Sequence, residues 1–206
     1  MNRQRCFVIA SLLFPTMLLV GCSGDNVTIT RPRPTDQIDI APQWNDVDSR
    51  SVAEEMVKDS LTFPWYNDFR EKNHRKPVLV IGPVKNLSRD YIDTQLFTKD
   101  IERSFIRSGD VTIVAMNEER QRLFDEILAQ QEFASVETAK RLGQATGADF
   151  MMTGRIGYIH QTSADGKRSI RYYKVDLEVI NLQTTEKVWS ATKEIKKDIV
   201  RKGYKP

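Results

Sequence analysis

Phe150-Met151-Met152-Thr153-Gly154-Arg155-Ile156-Gly157-Tyr158 and Tyr173-Lys174-Val175-Asp176-Leu177-Glu178-Val179 both alternate with a period of two. Successive side chains of an extended strand point to opposite faces. Phe150, Met152, Ile156 and Tyr158 therefore share one face of a strand, and Tyr173, Val175, Leu177 and Val179 share one face of the next. Ala164-Asp165-Gly166-Lys167 supplies a hairpin turn between them. A turn over 181–186 leads to a last strand around 187–195. Glycine inside such a strand, as at Gly154 and Gly157, marks a bulge or close packing rather than a phosphate cradle.

Upstream the period changes to that of a helix. Ser49 or Ser51 can cap a helix carrying Val52, Met56 and Ser60 or Leu61, and Phe63-Pro64-Trp65 breaks it. Pro77 opens Val78-Leu79-Val80-Ile81, a continuous apolar run suited to a strand covered on both faces. A helix follows from about Asp93, with Leu96, Phe97, Ile101, Phe105 and Ile106 as one stripe, and Gly109 ends it. Residues 111–116 read as a further strand, and 118–131 and 136–146 as helices. Alternating β-α-β followed by an antiparallel meander predicts a single α/β (α+β) domain. Its mixed sheet has about four to five strands flanked by helices.

The amino terminus is of another kind. Arg3 and Arg5 precede a fourteen-residue apolar run over 7–20, interrupted only by Ser11, Pro15 and Thr16. Spanning ~30 Å of hydrocarbon takes about 20 helical residues, so the run is too short to cross a bilayer and reads as a signal peptide over 1–21. Leu19-Val20-Gly21-Cys22 resembles the lipobox of bacterial lipoproteins, which makes Cys22 the expected lipidation site. The chain has 2 cysteines. Cys6 leaves with the signal, so Cys22 is the one thiol left and no disulfide within the mature chain is possible. Ser23 in place of Asp after it implies, by the lipoprotein sorting rule, the outer membrane. Residues 22–48, with Pro32, Pro34 and Pro42 among polar residues, read as a lipidated terminus and flexible linker. Residues 49–206 read as the globular domain with a basic tail. About 26 linker residues average ~30 Å as a coil and extend to at most ~85 Å.

The chain is 40% hydrophobic and 29% charged, with a formal charge of +3. Removing Arg3 and Arg5 leaves 29 basic against 28 acidic residues. That near-balance is poor material for a general nucleic-acid binder, which carries a basic surplus to meet phosphate. Reactive residues are scarce, since His74 and His160 are the only histidines and both read as solvated. With no cysteine to spare, a Cys/His zinc site and a thiol nucleophile are excluded. No Gly-x-Ser-x-Gly, P-loop or EF-hand pattern occurs, so no catalytic, metal or cofactor site is expected. Three features invite binding instead. They are the basic run 193–205, the aromatics Trp44, Trp65, Tyr66 and Phe69, and the loop Asn86-Leu87-Ser88-Arg89-Asp90 at a strand's carboxyl end. Trp65 and Phe69 read as core. Trp44, Asn86 and Arg89 are the candidate partner-binding residues.

Taken in order, the chain resembles the LpoB family of penicillin-binding-protein activator lipoproteins. The resemblance runs through Trp44-Asn45-Asp46-Val47-Asp48, the 78–82 strand, Lys85-Asn86, Ser108-Gly109 and Gln130-Gln131-Glu132-Phe133-Ala134-Ser135. It continues through Glu137-Thr138-Ala139-Lys140, Gly147-Ala148-Asp149-Phe150-Met151-Met152-Thr153-Gly154, Tyr172-Tyr173-Lys174-Val175-Asp176-Leu177-Glu178 and Glu186-Lys187-Val188-Trp189. It implies a non-enzymatic, outer-membrane lipoprotein whose domain faces the periplasm. Such a protein docks on a class A penicillin-binding protein and stimulates peptidoglycan synthesis allosterically. The linker is shorter than the long Pro-rich tether of enterobacterial members. Two alternatives are a subunit of a curli-type (CsgG-like) secretion channel and a periplasmic hydrolase. A channel needs added amphipathic strands of about 9–11 residues. The hairpin over 158–172 offers at most two per subunit, with a short charged tip, so a monomer is the expectation. Cys22→Ala is expected to leave the domain folded and move the protein from the membrane to the soluble fraction; a variant that still sediments with membranes refutes the anchor.

Overall fold

The computed structural model describes residues 32–33, 42–115 and 136–200. The chain divides into two units, Met1–Asp36 and Gln37–Pro206, and the fold below is that of the second. The expected signal peptide, Cys22, most of the expected linker, the expected helix over 118–131 and the tail beyond Val200 lie outside the described residues.

The described elements run α1 (Asp46–Thr62), α2 (Pro64–Asn73), β1 (Val78–Asn86), α3 (Thr94–Ser108), β2 (Thr112–Ile113), α4 (Val136–Thr146), β3 (Phe150–Thr162), β4 (Arg168–Asn181) and β5 (Lys187–Val200). They build one mixed sheet in the order β2-β1-β3-β4-β5. β1 runs parallel to both neighbours, while β3, β4 and β5 form the antiparallel meander. The expected α+β architecture is therefore present.

Each face of the sheet carries its own core. Phe150, Met152 and Ile156 of β3 and Tyr173, Val175, Leu177 and Val179 of β4 lie in one cluster with α1, α2 and α3, as the period-two reading requires. Val80, Met151 and Ile180 point the other way and pack with Leu142 of α4. On α3, Phe97, Ile101 and Phe105 are fully buried, but Leu96 and Ile106 are exposed. The stripe is thus narrower than the sequence suggested, with Leu96 and Ile106 on the side of α3 turned away from α1 and the sheet.

Several boundaries differ from expectation. Helix α1 is capped by Asn45, not Ser49 or Ser51. The Asn45 side chain accepts from Asp48 N–H and the Asp48 carboxylate accepts from Asn45 N–H, both at 3.0 Å. This reciprocal box satisfies two otherwise orphaned donors and contributes about 1 kcal/mol. Ser49 is instead buried, donating to Asp100 Oδ2 on α3 at 2.8 Å. Pro64 does end α1, but it also opens α2 at its first position, where a missing N–H costs nothing. The expected strand over 111–116 pairs only at Thr112 and Ile113, with Met116 outside the described residues. β5 runs on to Val200 beyond the expected end at Ile195.

Close packing explains the glycine in β3. A Cβ on Gly154 would lie 2.2 Å from Asp176 O and 2.5 Å from Leu177 Cδ2, whereas one on Gly157 would meet nothing nearer than Lys174 O at 3.6 Å. Gly154→Ala must part the β3–β4 ladder. It is expected to cost roughly 2 to 3 kcal/mol, and Gly157→Ala under about 1 kcal/mol, read from urea unfolding midpoints; equal effects would show that the approach at Gly154 is unimportant.

Candidate functional site

The loop after β1 is held on both sides by its own chemistry. As β1 ends, Leu87 N–H donates to Ile156 O on β3 at 2.9 Å. Asn86 Oδ1 accepts from Ser88 N–H at 2.9 Å, an Asx turn, and Asn86 Nδ2 donates to Asp90 O at 2.9 Å. Beyond the loop Ile92 is buried, and Asp93 caps α3 by accepting from Gln95 N–H and Leu96 N–H at 2.9 and 3.2 Å. Held this way, the segment turns large side chains outward. Leu87 is 61%, Tyr91 93% and Leu96 65% exposed. Arg89, between Leu87 and Tyr91 in sequence, is exposed and makes no hydrogen bond or ion pair among the described residues.

A polar network inside the domain fixes the loop's orientation. Asp90 Oδ2 accepts from Arg171 Nη1 at 2.7 Å and also from the Tyr173 hydroxyl, both on β4. The Arg171–Asp90 pair is largely buried, with side chains 16% and 14% exposed. Arg171 Nε is buried without a partner among the described residues. The Tyr173 hydroxyl also accepts the backbone N–H of Trp44 at 3.1 Å. Around it the rings interlock, with Trp44 edge-on to Tyr173 at 5.7 Å and to Phe97 at 5.8 Å, and Tyr158 tilted against Tyr173 at 5.2 Å. Burial first, and then the hydrogen bond to the Asp90 carboxylate, hold the Tyr173 hydroxyl far above its ordinary pKa of 10.0.

The three candidate binding residues thus have different places. Arg89 stands free on the surface, Asn86 uses its side chain to shape the loop, and Trp44 is half-buried against Phe97 and Tyr173 rather than lying in a tether. Leu87 and Tyr91 were not singled out by sequence, and both are exposed. The basic run at the carboxyl end is partly consumed within the fold. Lys193 Nζ meets Glu55 at 2.5 Å and Lys197 Nζ meets Asp48 at 2.7 Å, joining β5 to α1. Arg168 pairs with Asp198 at 2.6 Å.

The histidines sit apart. His74 is the left-handed residue after α2, at φ 51, and His160 is exposed, stacked on Tyr158 at 6.1 Å. A cleft of about 360 Å³ beside α2 is lined by Trp65, Phe69, Arg75, Asp149 and Asn181 among others. Its strongest charges are engaged, since Arg75 forks onto both Asp149 oxygens at 2.7 Å. Asp149 also accepts from Val78 N–H at 2.9 Å. This pair pins the start of β1 beside the start of β3.

The family model described as peptidoglycan-synthase activator LpoB matches residues 48–195, which takes in nearly every described element. The chain belongs to the LpoB family. Among solved structures it is similar to the LpoB C-terminal domain from Salmonella enterica, at 13% identity and a TM-score of 0.49, covering 72% of this chain and 98% of that one. The LpoB C-terminal domain from Escherichia coli is similar at 15% identity and a TM-score of 0.48, with the same coverage. Lipoprotein GNA1162 from Neisseria meningitidis follows at 13% identity and a TM-score of 0.43, covering 59% and 83%. Comparison with curated protein sequences gives no match. In this LpoB-family chain no described helix is long and apolar enough to cross a membrane.

The Tyr173 proton is held more tightly in the folded chain than in the unfolded one. The stability this brings is complete below pH about 10 and is lost as pH rises above it. Wild type is therefore expected to lose stability above pH 10 more steeply than Tyr173→Phe, measured by denaturation at pH 8, 10 and 11; parallel profiles would show that the phenol is not shielded.

Proposed function

We propose that this LpoB-family protein is an outer-membrane lipoprotein, anchored through Cys22, that binds a class A penicillin-binding protein and raises its peptidoglycan-synthase activity. The family match over 48–195 carries this reading. The apolar run before Cys22 supports the anchor, and acyl chains on one cysteine hold a protein to a membrane without a spanning helix. Activation then requires no chemistry from this chain. The domain needs only to bind an active conformation of the synthase more tightly than an inactive one, and the difference in affinity sets the stimulation.

The contact surface in this reading is the 86–91 loop with the first turn of α3. Exposed Tyr and Arg on a rigid backbone are the residue types that concentrate binding energy, because they bring large area and hydrogen bonding at little entropic cost. The geometry supports this, since Leu87, Arg89 and Tyr91 project from a segment fixed at Asn86, Asp90 and Asp93. An apolar pocket bordered by a carboxylate is the complementary surface on the synthase.

The test is glycan polymerisation by a purified class A synthase with the full-length protein in detergent. Wild type is expected to stimulate the synthase and to show no turnover alone. Arg89→Glu and Tyr91→Ala are expected to weaken binding by ~2 kcal/mol or more while leaving the melting temperature unchanged. Absence of stimulation by wild type overturns the function; full stimulation by both variants moves the contact surface elsewhere.

A further inference from the structure

The place where the N-terminal segment enters the domain and the place where the 86–91 loop is held meet at one atom. Tyr173 is fully buried, and a phenylalanine would fill the same volume, so the hydroxyl has another use. It donates to Asp90 Oδ2 and accepts Trp44 N–H at 3.1 Å. An O–H that is itself accepting a hydrogen bond is polarised and becomes a better donor. Trp44 therefore strengthens the bond to Asp90 without touching the loop. The Trp44 ring seats that N–H over the hydroxyl through its edge-on contacts with Tyr173 and Phe97, so trimming the ring to Ala unseats the donor while leaving the N–H in the chain. The entry point is clamped further by Lys197, whose Nζ donates to Gln43 O at 2.9 Å and pairs with Asp48.

Asp90 in turn decides what the loop displays. Arg89 and Tyr91 are its immediate neighbours, and with the Asp90 side chain turned inward to β4 they face solvent. The Asp90 carbonyl holds Asn86 Nδ2, so a displaced Asp90 also releases the Asx turn. We propose that the Tyr173 hydroxyl is a positioning group that couples the attachment of the N-terminal segment at Trp44 to the shape of the 86–91 loop. This rests on the reading of that loop as the contact surface. Under it, whatever unseats Trp44 from Tyr173 loosens the loop.

The experiment is amide hydrogen exchange on the full-length protein in detergent, comparing wild type, Trp44→Ala, Tyr173→Phe and the double variant. Exchange over 87–91 is expected to be about tenfold faster in Tyr173→Phe, with 139–146 of α4 unchanged. Trp44→Ala is expected to accelerate the same amides several-fold in wild type and to add nothing once Tyr173 is Phe. Uniform acceleration across the chain, additive effects of the two changes, or no change at 87–91 in Trp44→Ala would each overturn the coupling. Trp44→Ala alone decides the matter if Tyr173→Phe fails to fold. Synthase binding by the same variants separates the two readings. Faster loop exchange with unaltered binding leaves the coupling standing and removes the loop from the contact surface, whereas unaltered exchange removes the coupling whatever the synthase does.

Discussion

A phenol deep in an apolar core must have its hydroxyl satisfied, because a buried polar group without a partner costs about 1 to 3 kcal/mol. Tyr173 sits in the middle strand of the meander, in the core cluster shared with α1 and α3, and its hydroxyl finds partners from two distant parts of the chain. Satisfying it requires that Trp44 approach from one side and Asp90 from the other. Where Trp44 sits and which way the loop after β1 turns both follow from that requirement. Arg171, two residues earlier on the same face of β4, neutralises the carboxylate brought in. An unpaired Asp90 at this depth would be far more costly than the pair.

The pattern of charges between β5 and α1 follows the same geometry. From Trp189 onward the odd-numbered residues of β5 face α1, and two of these are lysines. Each reaches a carboxylate on the helix, Lys193 to Glu55 and Lys197 to Asp48. The second pair is the better shielded, with side chains 12% and 10% exposed, so salt screens it less than an open surface pair. Asp48 also closes the capping box of α1. The beginning of the helix and the far end of the last strand are thus fixed by one carboxylate.

The strands and the mixed sheet were legible because their signal is local. Period-two runs at 150–158 and 173–179 named the buried faces residue by residue, and the continuous run at 78–81 matched a strand covered on both sides. Helix α2 was hidden by its length. Ten residues with Trp65, Tyr66 and Phe69 as the apolar set give less than three turns of pattern, and Pro64 reads equally as a stop or a start. The start of α1 was hidden because Asn45-Asp46-Val47-Asp48 is polar enough to resemble linker until the reciprocal cap is recognised. In the candidate site, the loop and Arg89 were proposed from position alone. Tyr91, and the bracing of Asp90 by residues 81 and 83 positions away, depend on the tertiary fold and leave no local trace.

One feature of the sheet bears on how the molecule behaves in company. Among the described residues β5 has no strand on its outer side, and fourteen residues of open backbone form a template on which a neighbouring chain could zip. The row turned away from α1 reads Ser190, Thr192, Glu194, Lys196, Asp198. A newcomer would have to bury charges of alternating sign against whatever it brought, and lysine at a free border is a common deterrent to such stacking. A high local concentration of the protein is therefore compatible with each copy remaining a separate body.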